Sequence, residues 1–383
     1  MARISIYMFT MFSTFSVMVF FLPLYLTHQG LDSAQIGTVI GWGSFISMIA
    51  QPFWGVVSDR MKTIKRVLIV IILGSLLLST GMFAAETVML IGLLYVAFMF
   101  FYGAAASISE TLCVALAAER GLEFGKLRLW GEFGVGFSAV GLGLLVTRTG
   151  IGSIGTIFAA AIVVALVAAL MLRDAKATPD PVNLAAFGRM FRQPKLLWFL
   201  VLVLMIAIPH RMNDSMLAIH LERIGGSEAQ LGLAWSIAAF CNIPLMLYAG
   251  RFIRRFSELG IFIAAAAIYI VRWAVVSQAA SPEMLVAVQV LQGITFPLFL
   301  VSSVQYIQKL VPVELRATGM ATFAVTFIGF GGLLGSSIGG SLMEQHGPET
   351  TYGASAVMVA VCAAAAAATY FRGRKRGELP QAS

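Results

Sequence analysis

Twelve mainly apolar runs, each of helix length, occupy this chain almost from end to end. They lie near residues 4–27, 33–57, 66–84, 87–118, 128–147, 152–172, 196–221, 228–250, 258–277, 283–308, 316–342 and 351–371. A helix needs about 20 mainly apolar residues to cross the hydrocarbon of a bilayer. In lipid the backbone has no water to bond to, so only helices or closed barrels satisfy it. The runs lack the ten-residue alternation of barrel strands. Composition agrees, since 59% of the 383 residues are hydrophobic and 11% charged, with a mean hydropathy of +0.89. That is far more apolar than a soluble core requires. The chain reads as an all-α membrane protein of twelve transmembrane helices, with no residues left for a soluble domain.

The formal charge of +8 raises nucleic acid as a partner, and the placement of the basic residues argues against it. With an internal amino terminus, 22 of the 26 Lys and Arg fall on one side of the membrane. Arg3, the Arg60–Arg66 loop, Arg120 to Arg128, Arg173 to Lys195, Arg251 to Arg255, Lys309, Arg316 and the tail from Arg372 make up that side. Arg148 and Arg223 lie on the other. This positive-inside bias puts both termini in the cytoplasm and points to a multi-pass protein of the bacterial cytoplasmic membrane. The basic ends also suit anionic lipid headgroups. The first run has no small-residue cleavage site, so it reads as a retained helix rather than a removed leader. Cys113, Cys241 and Cys362 stand singly in three different runs, a pattern that supplies neither a disulfide framework nor a metal set.

Shifting the chain by 195 residues lays Leu26, Gly30, Ala34, Gln35, Gly37 and Gly55 onto Leu221, Gly225, Ala229, Gln230, Gly232 and Gly250. Order is preserved, so the repeat is parallel. Two six-helix bundles are expected, residues 1–172 and 195–383, joined by a polar, proline-bearing linker at 173–194. Parallel repeats of this kind put a substrate site at the midplane between them. Between the second and third runs stands Gly55-Val56-Val57-Ser58-Asp59-Arg60-Met61-Lys62-Thr63-Ile64-Lys65-Arg66. It resembles the loop signature of the major facilitator superfamily. Gly55 permits close helix approach, and Asp59 suits the positive end of a neighbouring helix. Arg316, opening the eleventh run, is a partner for Asp59 across the bundles. Gly55, Asp59, Arg60 and Arg316 are therefore gating candidates, the alternative being simple basic anchoring at a helix end.

Ionisable residues inside a membrane are costly and by default mark a site. Glu110 lies about 13 Å into the fourth helix, and Glu132 follows Arg128 by four residues on one face of the fifth. The seventh run carries His210, Arg211, Asn213 and Asp214 beside Pro209, and Arg272 sits within the ninth. Opposite net charges on the two bundles favour attraction across the site. The bland readings are that Arg128 snorkels to the interface, that Arg211 and Asp214 neutralise each other locally, and that Asn242, Gln289, Gln292 and Gln305 glue helices together.

Three stretches resemble the lactose permease branch of that superfamily, including its 3-phenylpropionate permease relatives. They are Phe124 to Gly131 with Glu110 eighteen residues before Arg128, Phe191 to Leu200, and Val271-Arg272-Trp273 followed by Phe296-Pro297. The resemblance implies that Glu110 and Arg128 bind substrate and that Arg272 serves proton coupling. Where that branch carries a histidine and a proton-bearing glutamate, this chain has Gln292 and Thr295. Its helix 8 glutamate corresponds to Ala239 and its stacking tryptophan to Val135. Galactoside specificity therefore does not carry over, and Glu132 or Asp214 becomes the candidate proton carrier.

The expected function is proton-coupled symport of a sugar, glycoside or similar small polar solute by alternating access. Glu110, Arg128, Glu132, Arg272, Gln292 and Asn242 are the binding candidates, and Glu132, Asp214 and Arg272 the coupling candidates. Uptake of an aromatic acid or nucleoside, or efflux by proton antiport, remains open. No metalloprotease or phosphate-loop motif supports an enzyme, no cofactor is implied, and a monomer is expected.

Overall fold

Residues 1–122, 124–175, 193–255, 257–312 and 315–375 are described by a computed structural model, and all their regular elements are helical. The middle of the expected linker, residues 176–192, and Glu314 lie outside the described residues. Helix α1 spans Ala2–His28, α2 Ser33–Met61, α3 Ile64–Ala84, α4 Val88–Ala118, α5 Phe124–Thr149 and α6 Ile151–Leu170. Then follow α7 Pro194–Arg223, α8 Glu228–Arg255, α9 Glu258–Ser277 and α10 Pro282–Leu310. Helix α11 runs from Arg316 to Lys375 and bends at Gly347, where φ is 74° and ψ 179°. Ten of these helices are long and apolar enough to cross a membrane, and α8 adds a further 28 helical residues. The apolar runs and the helices agree to within about five residues at their edges. The eleventh and twelfth runs are two helical arms that meet at Gly347, whose backbone is not helical, and they carry the single label α11.

The helix starts are written locally. Asp32 caps α2 by accepting from Gln35 N at 2.7 Å, while Gln35 Oε1 accepts from Asp32 N at 3.1 Å. This reciprocal capping box recurs at α8, where Gln230 Oε1 accepts from Ser227 N and Ser227 Oγ accepts from Gln230 N. Thr63, Thr87, Ser257 and Ser281 cap α3, α4, α9 and α10. The two matched glycines share a reason as well. Gly30 and Gly225 adopt φ of +86° and +82°, ending α1 and α7 in the same left-handed turn. Matching glutamines and glycines at a spacing of 195 residues therefore build one helix–turn–helix twice.

Two long contacts join amino-terminal helices to carboxy-terminal ones, and both are glycine seams. Gly37 of α2 lies against Gly340 of α11, and a Cβ on either would overlap backbone of the opposite helix. Gly232 of α8 lies against Gly143 of α5, where an added Cβ would stand 2.6 Å from Glu228 O. Both seams sit toward the ends of α2 and α5 near Asp32 and Thr149. At the opposite end of α2 a Cβ on Gly55 would meet nothing within 4 Å. Asp59 and Arg316 are there exposed, and no ion pair joins them among the described residues. The structure is thus closed at one end of the helices and open at the other.

The open end is tied down beside α3 by Asp174. Its carboxylate accepts from Thr63 Oγ1 and from Lys65 N at 3.0 Å, while Lys65 Nζ donates to the carbonyls of Leu170 and Leu172. Partial burial pushes Asp174 upward. The bonds from Thr63 and from the Lys65 and Ala175 amides, with the charge of Arg66, outweigh it and hold the carboxyl below its ordinary value.

Candidate functional site

Helices α1, α4, α5 and α8 converge on one guanidinium. Arg128 Nε donates to Glu110 Oε1 at 2.7 Å, and Arg128 Nη1 donates to Glu132 Oε1 at 3.0 Å. The Glu132 contact is the four-residue spacing within α5, whereas Glu110 comes from α4. The Phe12 ring of α1 lies 4.3 Å from the guanidinium carbon, a cation–π seat that fixes its plane. Asn242 Nδ2 of α8 reaches Glu132 Oε2 at 3.4 Å, bringing a carboxy-terminal helix into the cluster. The side chains of Glu110 and Arg128 are about one-third exposed and Glu132 less, so the cluster is partly open although set among apolar helices. Two carboxylates on one guanidinium leave a net charge of about minus one. Arg128 therefore does not simply snorkel.

A second polar group lies among α7, α9, α10 and α11. Arg211 Nη1 donates to Asp214 Oδ2 at 2.9 Å, and its guanidinium carbon lies 5.1 Å from the centre of the Phe327 ring. Phe327 belongs to a π-helical turn, Val325–Phe330, and α1 carries another at Ser16–Phe21. Such turns frequently accompany functional sites. Arg272 is wholly buried, 4.1 Å from the Trp273 ring, and donates from Nη2 to Gln289 Oε1 at 3.3 Å. Its Nε and Nη1 have no hydrogen-bond partner among the described residues, nor has Gln292 Oε1. Asp214 is near enough for its charge to act on Arg272, although its ion pair is with Arg211.

The candidate residues thus separate into two places. Glu110, Arg128, Glu132 and Asn242 are in mutual contact. Asp214, Arg272 and Gln292 belong to the second group. Gly55, Asp59, Arg60 and Arg316 stand at the open end, away from both. Sequence reasoning did not assign roles to His210, whose Nδ1 is 2.8 Å from the Tyr269 hydroxyl, or to Tyr352, which donates to Asn213 Oδ1 at 3.3 Å. It also passed over Phe20 and Trp235, stacked 4.1 Å apart between α1 and α8. Only the intramembrane position of His210 signalled it. An apolar groove lined by Trp42, Ile46, Met89 and Leu93 opens between α2 and α4 and holds none of the candidate residues.

A family model, described as the MFS_1 like family, matches residues 1–354. The chain belongs to this family. Among relatives, the maltose permease of Geobacillus stearothermophilus is 25% identical over 344 residues, covering 89% of this chain and 87% of that protein. The probable 3-phenylpropionic acid transporter of Escherichia coli (strain K12) is 23% identical over 309 residues, or 78% and 80% of the two chains. The crystal structure of the nucleoside transporter NupG superposes with a TM-score of 0.83 at 18% identity, covering 96% of this chain and 98% of that one. At that identity the likeness speaks for the fold alone. This MFS_1-like chain is an integral, multi-pass, all-helical membrane protein of major facilitator type.

Proposed function

We propose that the chain is a secondary active transporter that moves a sugar, glycoside or similar small polar solute together with protons. The observation that carries this reading is the partly exposed Glu110–Arg128–Glu132 cluster, bridged by Asn242 from the carboxy-terminal helices. Carboxylates, a guanidinium and an amide make alternating donors and acceptors suited to hydroxyl groups. Carriers of maltose and 3-phenylpropionic acid among the relatives support transport of a small organic solute.

The transporter has twelve spans in two bundles, residues 1–172 and 195–383, linked by 173–194. The twelve are the nine candidate spans before Arg316 other than α11, then α8, then the two arms of α11. With its basic loops inside, both termini are cytoplasmic, the protein sits in the bacterial inner membrane, and the open end faces the cytoplasm. Rocking of the bundles closes the Gly55 end, where Asp59 beside Arg60 meets Arg316, as the glycine seams part. Glu132 or Asp214 carries the proton, and Arg272 takes part in the coupling.

A specific observation favours a second reading. Two nitrogens of the buried Arg272 guanidinium have no hydrogen-bond partner among the described residues, and an aromatic acid carboxylate would satisfy them. Counterflow in proteoliposomes, with sugars, nucleosides and aromatic acids offered in turn under an imposed pH gradient, separates the two. Accumulation of a sugar that collapses with the gradient supports symport. Accumulation of an acid alone supports the second reading, and no uptake of any class refutes the proposal.

A further inference from the structure

The closed end is held by more than its glycine seams. Arg223, the last residue of α7, donates from Nη2 to Ser33 Oγ at 2.9 Å and to Glu344 Oε2 at 3.3 Å. Its Nη1 donates to the carbonyl of Met343 at 3.0 Å. Glu344 Oε2 in turn accepts from Ser33 N at 3.1 Å. Ser33 is the first residue of α2, whose free amides form the positive end of that helix dipole. An acid and a base from the carboxy-terminal helices thus grip the start of an amino-terminal helix. Nearby, His28 Nε2 lies 3.1 Å from Glu222 Oε1, again between the two sets.

We infer that Arg223, Glu344 and the amino terminus of α2 form a latch that locks the transporter closed on this face. The inference rests on the alternating-access reading and adds the gate that it lacks. At the other end no ion pair joins Asp59 to Arg316 among the described residues, whereas the described ion pair between the two sets of helices, His28–Glu222, lies on the sealed side. The carboxylate of Glu344 is matched to the α2 dipole only while Gly37 and Gly340 touch. When the seam parts, Ser33 N exchanges the Glu344 carboxylate for water and Arg223 exchanges the Ser33 hydroxyl, while the Arg223–Glu344 pair stays within the carboxy-terminal helices. Arg223 is the pivot because it binds α2 and α11 at once. The latch spans the mouth of the seam rather than the solute site. Its strength therefore sets how long the protein remains closed here, and not what it binds.

The test uses two single-cysteine reporters in the full chain, with Cys113, Cys241 and Cys362 replaced by Ala. Ser336→Cys reports on the seam, where Ser336 is buried against Gly37, and Gly55→Cys reports on the open end. Both are labelled with a membrane-impermeant maleimide, in spheroplasts and in inverted vesicles. Losing one charge-assisted hydrogen bond shifts an equilibrium roughly tenfold. Arg223→Ala and Glu344→Ala are therefore each expected to raise Ser336→Cys labelling about tenfold and to slow Gly55→Cys labelling, the double variant doing no more than either. Glu344→Gln keeps an oxygen for Ser33 N and is expected to fall between, which guards against a misfolded alanine variant. Unchanged labelling at Ser336→Cys, or a rise there with no change at Gly55→Cys, overturns the latch. If a seam-breaking Gly143→Val also fails to shift either reporter, alternating access itself is wrong. If Gly143→Val shifts both and the latch variants shift neither, only the latch is wrong.

Discussion

Replacing Arg128 by Gln removes the one cation that Glu110 and Glu132 share. Oxygens bound to Nε and Nη1 of one guanidinium lie about 5 Å apart, and at an effective dielectric of about 20 two such charges repel by about 3 kcal/mol. Glu110 is more than one-third exposed, and solvent screening brings the expected cost down to about 1–2 kcal/mol. Loss of the Phe12 cation–π contact adds about 0.5–1 kcal/mol. Arg128→Gln is thus expected to melt several degrees below the wild-type protein in detergent. Arg128→Gln/Glu132→Gln, which removes the repulsion, should recover part of that loss. The assay is a thermal melt of the three purified proteins at pH 7.5, repeated at high salt, where the differences should shrink. A double variant no more stable than Arg128→Gln would refute the shared-counterion reasoning.

Further outcomes follow from other contacts. Gly143→Val places a branched side chain against the α8 backbone, an overpacking worth about 1–3 kcal/mol, so it should populate a state open at the seam. Spin labels at Arg148 and Ser227 should report a longer mean distance by pulsed resonance, and an unchanged distance would count against the seam. Asp214→Asn leaves Arg211 and Arg272 without a carboxylate near them, so uphill uptake driven by a pH gradient should be lost while downhill exchange persists. Equal loss of both would remove Asp214 from proton coupling. Asp174 has its carboxyl held below the ordinary 3.8, so its stabilisation is present above that pH and fades as pH falls through the lowered value. Acidification below about pH 4 should therefore destabilise the wild-type protein more than Asp174→Asn, as read from melting temperature against pH.

Helix existence was the most legible level, because hydrocarbon thickness sets a length that composition alone must meet. The 258–277 run and α9 coincide, and most of the others differ because the helix extends a few residues past the apolar stretch. The break at Gly347 was legible because the polar stretch from Glu344 to Glu349 interrupts the apolar sequence where the backbone leaves the helix. The repeat was legible for a local reason. Gln35 with Gln230 and Gly30 with Gly225 act within a few residues of themselves, so their chemistry is visible in sequence.

The site was half legible. Arg128 and Glu132 are one helical turn apart, which makes their pairing a matter of spacing, and the family resemblance pointed to Glu110. The partner of Arg223 was not readable, since Ser33 is 190 residues away and its amide becomes an acceptor's target only when α2 and α11 meet. For the same reason the stack of Phe20 on Trp235 and the bond of Arg272 to Gln289 rather than to a carboxylate belong to packing. The sequence by itself determined how many apolar segments the lipid would hold, how their ends are capped and which charges would be stranded among them. Those are properties of short range and of solvent. Tertiary structure alone decided which stranded charges touch and which end of the bundle is shut. Such contacts depend on angstrom-scale approach between helices far apart in the chain, and no local pattern encodes that approach.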